Sequence, residues 1–389
     1  MTRKESKKMS YNFDEIIERK QTYSTKWLKF DDPEVIPMWV ADMDFSCPPE
    51  ILRPLHERIE QGVFGYTDKP SHLADILKDR VNTNGWDIDP EWVTWIPGAV
   101  VGLNVSCRAF LNPGDMVMTP SPIYRPFTFA SSNMERGMVK TLMKDVNGRM
   151  ELDFESIEAL MSTDINMFFF CNPHNPGGTV FSREEIQRLV DICEKHEVGI
   201  CSDEIHCDLL LDDKLKHIHT ATVSEYAREN SVTLLGPCKT FNLAGLPIAA
   251  AVVPNPDLRT HFRRCMRGIV SHISSLSFVA TEAAYLQGGE WHKELLEYLR
   301  INKELLIEGV SKVEGLSLSG PEASYLAWID CREAKLLSPA EFLIQQAKVG
   351  VHDGEWFGNK DYVRLNFGCP RSVLEESISR IQKAFSQRN

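Results

Sequence analysis

The chain has 389 residues, enough for two or three domains at about 150 residues each. Its 43% hydrophobic and 25% charged residues suit a globular protein, and its net charge of −12 argues against nucleic acid or an anionic membrane as partners. No apolar run approaches the ~20 residues of a membrane span.

In chain order, residues 1–10 are polar, with Arg3, Lys4, Lys7 and Lys8 and no apolar region behind them. They read as a disordered end rather than a secretory signal. A strand is predicted over 92–96, a helix without strong breakers over 99–110, and strands over 116–119 and 167–171. Ser182 with Glu185 three residues on is a capping box, opening a helix over 182–196. Further strands are predicted over 198–201, 232–235 and 248–253. Short apolar runs alternating with helical patterns argue for α/β layering.

The remainder has a different texture. A long amphipathic helix is predicted over 291–313 and strands over 325–329 and 362–367. Ser338-Pro339-Ala340-Glu341 reads as a second capping box with Pro at the first helical position, its helix running to about 349. A last helix covers 372–385. The expected organisation is a large domain over 51–290, with a smaller α/β domain built from 1–50 and 291–389.

Ten cysteines form no Cys-x-x-Cys pair, and the five residues between Cys201 and Cys207 are not a zinc spacing. They read as reduced, buried thiols of a cytoplasmic protein.

Ligands of open α/β sheets bind outside the carboxyl ends of the strands, so the residues just after each predicted strand matter most. Pro97-Gly98-Ala99-Val100-Val101 is a Gly turn into a helix, an anion site made of backbone N–H groups. Ser121-Pro122-Ile123-Tyr124 places an aromatic ring at the mouth. Asn172 to Gly178 includes Asn175. Asp203-Glu204-Ile205-His206 and Gly236-Pro237-Cys238-Lys239 complete the set. Each has a bland explanation: turns, packing, helix caps, a surface lysine. Together they form one crevice with a phosphate site, a ring, an amide, a carboxylate, an imidazole and an amine. Pyridoxal 5′-phosphate (PLP) needs its phosphate held, its ring stacked, its pyridine nitrogen kept protonated, its phenolate oxygen hydrogen-bonded and its aldehyde captured by a lysine.

Several strings carry a family resemblance: Pro37 to Phe45 (PMWVADMDF), Phe64-Gly65-Tyr66-Thr67, Cys171 to Gly178 (CNPHNPGG), Ser202 to His206 (SDEIH), Lys239 to Leu246 (KTFNLAGL) and Val363-Arg364-Leu365-Asn366. The chain resembles fold-type I PLP enzymes of the aminotransferase class I/II superfamily, and most of all the bacterial cystathionine β-lyases, or C–S lyases. The likeness runs from about residue 11 to about 387.

The resemblance implies a large domain with a mostly parallel central sheet plus a smaller α/β domain. It implies that Lys239 captures the PLP aldehyde and Asp203 pairs with the ring nitrogen. Asn175 and His206 would bond the phenolate oxygen, Tyr124 stack on the ring, and backbone around Val100 and Val101 hold phosphate. Tyr66 would reach the phosphate of a neighbouring subunit, so a homodimer with shared active sites is expected. Arg364 would bind the carboxylate of an amino-acid substrate. The strand pattern agrees, since Tyr362, Arg364 and Asn366 share one face. A guanidinium also suits bidentate carboxylate binding.

There are two departures. Cys238 replaces the family's Ser before the lysine, and Gly236 offers no hydroxyl, so either phosphate binding leans on backbone, Lys or Tyr or PLP affinity is lower. The loop Val351 to Gly358 lacks the family's Pro-Gly pair and borders the substrate site. The expected reaction is β-elimination from a sulfur amino acid, with Lys239 taking the Cα proton and thiolate leaving Cβ, so that cystathionine gives homocysteine, pyruvate and ammonia. An aminotransferase shares the first deprotonation and is the alternative. A regulatory binding protein on the same fold is a third reading, which the retained Lys239, Asp203 and Arg364 disfavour.

Overall fold

The computed structural model describes residues 9–388. Most of the polar N-terminal stretch, residues 1–8, lies outside the described residues, as does residue 389. Ser10 is docked: its N–H donates to both carboxylate oxygens of Glu294 at 2.8 and 2.9 Å.

A seven-stranded sheet runs in the order Val93–Ile96, Ala249–Val252, Ser231–Leu235, Gly199–Asp203, Ile165–Cys171, Met116–Ser121, Gly137–Leu142. Every pairing is parallel except the two made by Ala249–Val252, which runs against both neighbours. The other six strands therefore deliver their carboxyl ends to one edge. Inner strands of a parallel sheet are covered on both faces, so they read as continuous apolar runs. Met167 to Cys171 is such a run and is wholly buried. The strand Gly137–Leu142 was not predicted. It is an edge strand carrying Lys140, and only Thr141 is buried, so it lacks that signal.

Helices cover both faces. On one, Ala99–Phe110 packs with Pro126–Asn133 and Pro256–Met266 through Leu103, Phe127 and Phe262 onto Phe169 and Leu234. Gly102 permits the close approach, because a Cβ there would lie 2.5 Å from Leu234 Cδ2. On the other, Arg183–Lys195 sets Ile186 and Leu189 against Phe168 and Phe170. Its predicted capping box is present in both directions.

The rest of the chain builds an antiparallel sheet of Leu326–Asp330, Tyr362–Asn366 and His352–Asp353, backed by the long helix Gly289–Ser311 and the last helix Arg371–Ser386. Phe13, Met38, Met43 and Phe45 share its hydrophobic core with Leu295, Tyr298 and Leu365. Ile36–Pro37 also pairs with Val349–Gly350.

That pairing corrects the helix expected to reach about 349. It ends at Gln345, and Val349 is already strand. Lys348 between them has φ 55°, outside the helical region. The second capping box is half formed. Ser338 Oγ accepts the Glu341 N–H, but the Glu341 carboxylate accepts from Gln345 Nε2 instead.

Candidate active site

The five sequence segments do meet at the carboxyl edge of the sheet, around a cavity of about 370 Å³. Parallel register decides this. Cys171 sits opposite Asp203, and Asp203 opposite Leu234, so the turns after these strands stand side by side. The turn after Leu235 carries Lys239 to the cavity, where its Nζ donates to the Ala41 carbonyl at 2.9 Å. Burial holds the Lys239 ammonium below the usual lysine pKa. Arg364 pushes the same way, while Cys238, Asp42 and Asp203 pull it back.

Asp203 also lines the cavity. Burial pushes its carboxyl up to about 6, because only the Ile205 N–H, at 3.2 Å, stabilises the ionised form by hydrogen bonding. His206 is buried, with its pKa lowered to about 3 by burial and by the charges of Lys239 and Arg364. Its Nδ1 has no hydrogen-bond partner among the described residues.

Arg364 is 1% exposed, and burial lowers its pKa to about 10. Its Nη1 donates to Asn175 Oδ1 at 2.9 Å and its Nη2 to the Trp39 carbonyl at 3.0 Å, with His352 Nδ1 at 3.3 Å. Its Nε is buried without a partner among the described residues. Because Asn175 spends its oxygen on Arg364, its amide nitrogen is the group left to donate. Tyr124 lines the wall, its backbone N–H held by the Asn175 carbonyl and its ring 5.4 Å from that of Trp356.

Gly98 opens the helix Ala99–Phe110 with φ 107°, a conformation only glycine adopts readily. The first intrahelical bond is Gly102 N–H to the Gly98 carbonyl. The N–H groups of Ala99, Val100 and Val101 therefore precede the helical ladder. Val100 lines the cavity, whereas the Val101 side chain packs on the apolar layer beneath it. Tyr66 is not among the lining residues. It is 97% exposed, its ring 5.8 Å from that of His272.

The sequence matches the aminotransferase class I and II family over residues 34–381. The chain belongs to that family. Cystathionine beta-lyase PatB of Bacillus subtilis (strain 168) is 36% identical over 388 residues, covering 96% of this chain and all of PatB. Among solved structures, OvoB is similar with a TM-score of 0.95 and 40% identity, covering 97% of this chain and all of that one. Cystalysin from Treponema denticola, whose structure contains a pyridoxal 5′-phosphate cofactor, gives 0.93 and 30%, covering 97% and 99%. The resemblance read from the motifs therefore holds, and the fold is that of fold-type I enzymes.

The donor set of this family member fits such a cofactor. A partnerless buried imidazole nitrogen, a carboxyl short of hydrogen bonds, an amine and a helix N-terminus face one cavity of suitable size. Cys238 contributes little to a phosphate, since its thiol is directed at the Ile248 carbonyl, 3.3 Å away.

Sequence reasoning missed the contacts that hold the family strings together. Asn242, three residues after Lys239, grips the 43–45 backbone. Its Oδ1 accepts the Met43 N–H, and its Nδ2 donates to the Met43 and Phe45 carbonyls. Asn366, two residues after Arg364, donates to the Val40 and Asp42 carbonyls. Between these clamps, the carbonyls of Trp39 and Ala41 meet Arg364 and Lys239. A partial signal was present, since both asparagines stand inside the family strings. His352 and Trp356, which also line the cavity, stand in the loop Val351 to Gly358 that the resemblance set beside the substrate site, though neither was singled out.

Proposed function

We propose that the chain is a PLP-dependent carbon–sulfur β-lyase that cleaves cystathionine or other cysteine conjugates to a thiol, pyruvate and ammonia. The observation that carries this reading is the placement of the Lys239 amine, its charge disfavoured by burial, in one cavity with the buried Arg364. The name of PatB supports the lyase branch.

Bound PLP supplies an electron-accepting ring that tolerates charge building at the substrate Cα. Lys239 would anchor the cofactor, and its free amine would serve as the base that takes the Cα proton. Asp203 holds the proton at the ring nitrogen. Asn175 and His206 would hold the phenolate oxygen, Tyr124 would lie against the ring, and the N–H groups at Val100 and Val101 would hold the phosphate. Arg364 would bind the substrate carboxylate and so orient the bonds at Cα. A thiolate then leaves readily, because its conjugate acid has a pKa near ~8.5.

The same reading takes residues 51–290 as the cofactor-binding domain and 1–50 with 291–389 as the small one. It makes the working unit a homodimer in which Tyr66, exposed on the single chain, reaches the partner's phosphate site. It places the enzyme in the cytoplasm, in keeping with ten unpaired cysteines. No helix among the described residues is long and apolar enough to cross a membrane.

The test is incubation of the purified protein with cystathionine and no keto acid. Pyruvate and free thiol should form in equal amounts. Pyruvate that appeared only when a keto acid was supplied would replace this reading with an aminotransferase.

A further inference from the structure

The 370 Å³ cavity is small for everything a conjugate substrate would bring. It lies near the lower end of ligand pockets, roughly 300–1,000 Å³. Cofactor and the amino-acid half of a substrate would largely fill it, so a long thiol half must extend beyond.

A second, larger cleft of about 980 Å³ adjoins it, between the helix Pro126–Asn133 and the helix Pro339–Gln345. His352 and Trp356 line both spaces, their rings 4.6 Å apart. At that shared wall stands Lys29, which lines the outer cleft with its Nζ 4.3 Å from the ring centroid of Trp39. Trp39 in turn lines the inner cavity and sits edge-on to His352 at 5.4 Å. Lys29 is close enough for its charge to help depress the His352 pKa, after burial and Arg364.

The charges of the cleft are unequally engaged. Lys29, Arg125 and Lys140 are all exposed, and none forms an ion pair with a carboxylate among the described residues. Arg125 instead lies over the half-exposed ring of Phe129, 5.1 Å from its centroid. Of the three acidic residues, Asp353 accepts the Glu355 N–H at 2.9 Å and Glu341 accepts Gln345 Nε2 at 2.8 Å. Only Glu355 has no such engagement through its carboxylate among the described residues.

We propose that this outer cleft is the subsite for the thiol half of the substrate, and that Lys29 and Arg125 select thiols carrying a carboxylate. The proposal rests on the lyase reading and adds the class of leaving group: elongated and anionic. The apolar rings of Trp356 and Phe129 take the stem, and the two cations take its end.

Three substrates test it by pyruvate release. S-(2-carboxyethyl)-L-cysteine carries the carboxylate, S-(2-carbamoylethyl)-L-cysteine is its neutral isostere, and S-methyl-L-cysteine is too short to enter the cleft. Exposed cations each contribute modestly, so kcat/KM for the acid should exceed that for the amide by about tenfold. In the double variant Lys29→Met, Arg125→Gln, the ratio should fall to about one, with the S-methyl rate unchanged. A ratio near one in the native enzyme, or a tenfold ratio that survives in the double variant, overturns the subsite. No pyruvate from any of the three overturns the lyase reading, and the subsite with it.

Discussion

Asp203 and Glu204 are neighbours in sequence, both carboxylates and both buried, yet their surroundings drive them in opposite directions. Asp203 faces the cavity with one backbone donor, and burial lifts its carboxyl to about 6. Glu204 turns into the protein and meets four donors: Ser202 Oγ at 2.8 Å, the Thr220 N–H at 2.9 Å, His217 Nε2 at 2.8 Å and His219 Nδ1 at 2.6 Å. Burial alone would raise Glu204 too, but the two imidazoles pull it well below the ordinary range. Donors, not depth, decide whether a buried carboxylate is satisfied. Glu204 is complete within the fold. Asp203 is left short, and a cation at the ring nitrogen would complete it.

Substitutions at the two positions should therefore separate stability from chemistry. Glu204→Gln replaces a buried carboxylate that accepts four hydrogen bonds with an amide that can accept at one atom only, and should cost at least about 1–3 kcal/mol of stability, read by denaturant unfolding at pH 7. A carboxylate whose folded pKa is depressed stabilises above its unfolded value. The gap between native and variant should accordingly narrow as pH falls below about 4.3. A constant gap at acid pH would mean the Glu204 charge is not its source.

Asp203→Asn should fold about as well as the native chain and lose about 10²–10³ in kcat, the scale seen when one electrostatic partner of a reacting group is removed. Relief of the burial cost should, if anything, stabilise the cofactor-free variant above pH 6, where the native Asp203 must ionise. A variant with full activity would take Asp203 out of the site.

A smaller effect belongs to Arg364→Ala. Loss of a charged hydrogen bond costs about 1.5–3 kcal/mol, so KM for amino-acid substrates should rise roughly 10- to 150-fold with the cofactor's visible absorbance intact. An unchanged KM would assign the carboxylate to another group.

Much of the site was legible in the sequence, for a physical reason. Strand ends that carry chemistry are short, and parallel register aligns them, so Asn175, Asp203, His206 and Lys239 could be placed together from order alone. The buried strands announced themselves by continuous apolar runs. The hidden part depends on contacts distant in sequence. Lys239 meets Ala41, 198 residues away, and Arg364 meets Trp39, 325 away. No local pattern encodes either. The edge strand Gly137–Leu142 was invisible because it is half exposed, and the helix after Pro339 was overextended because its end is set by strand pairing at Val349. Tyr66 lies exposed on the single chain, and its proposed role needs a second copy.

All of these roles depend on the crevice seating the cofactor with Lys239 as its covalent anchor. Borohydride reduction of the cofactor-loaded protein, followed by proteolysis and mass mapping, reads that anchor without relying on turnover. One cofactor-sized mass addition is expected, confined to the peptide containing Lys239 and absent from Lys239→Ala. A label fixed on any other lysine, or a Lys239→Ala protein that still traps the cofactor covalently, would refute the assignment.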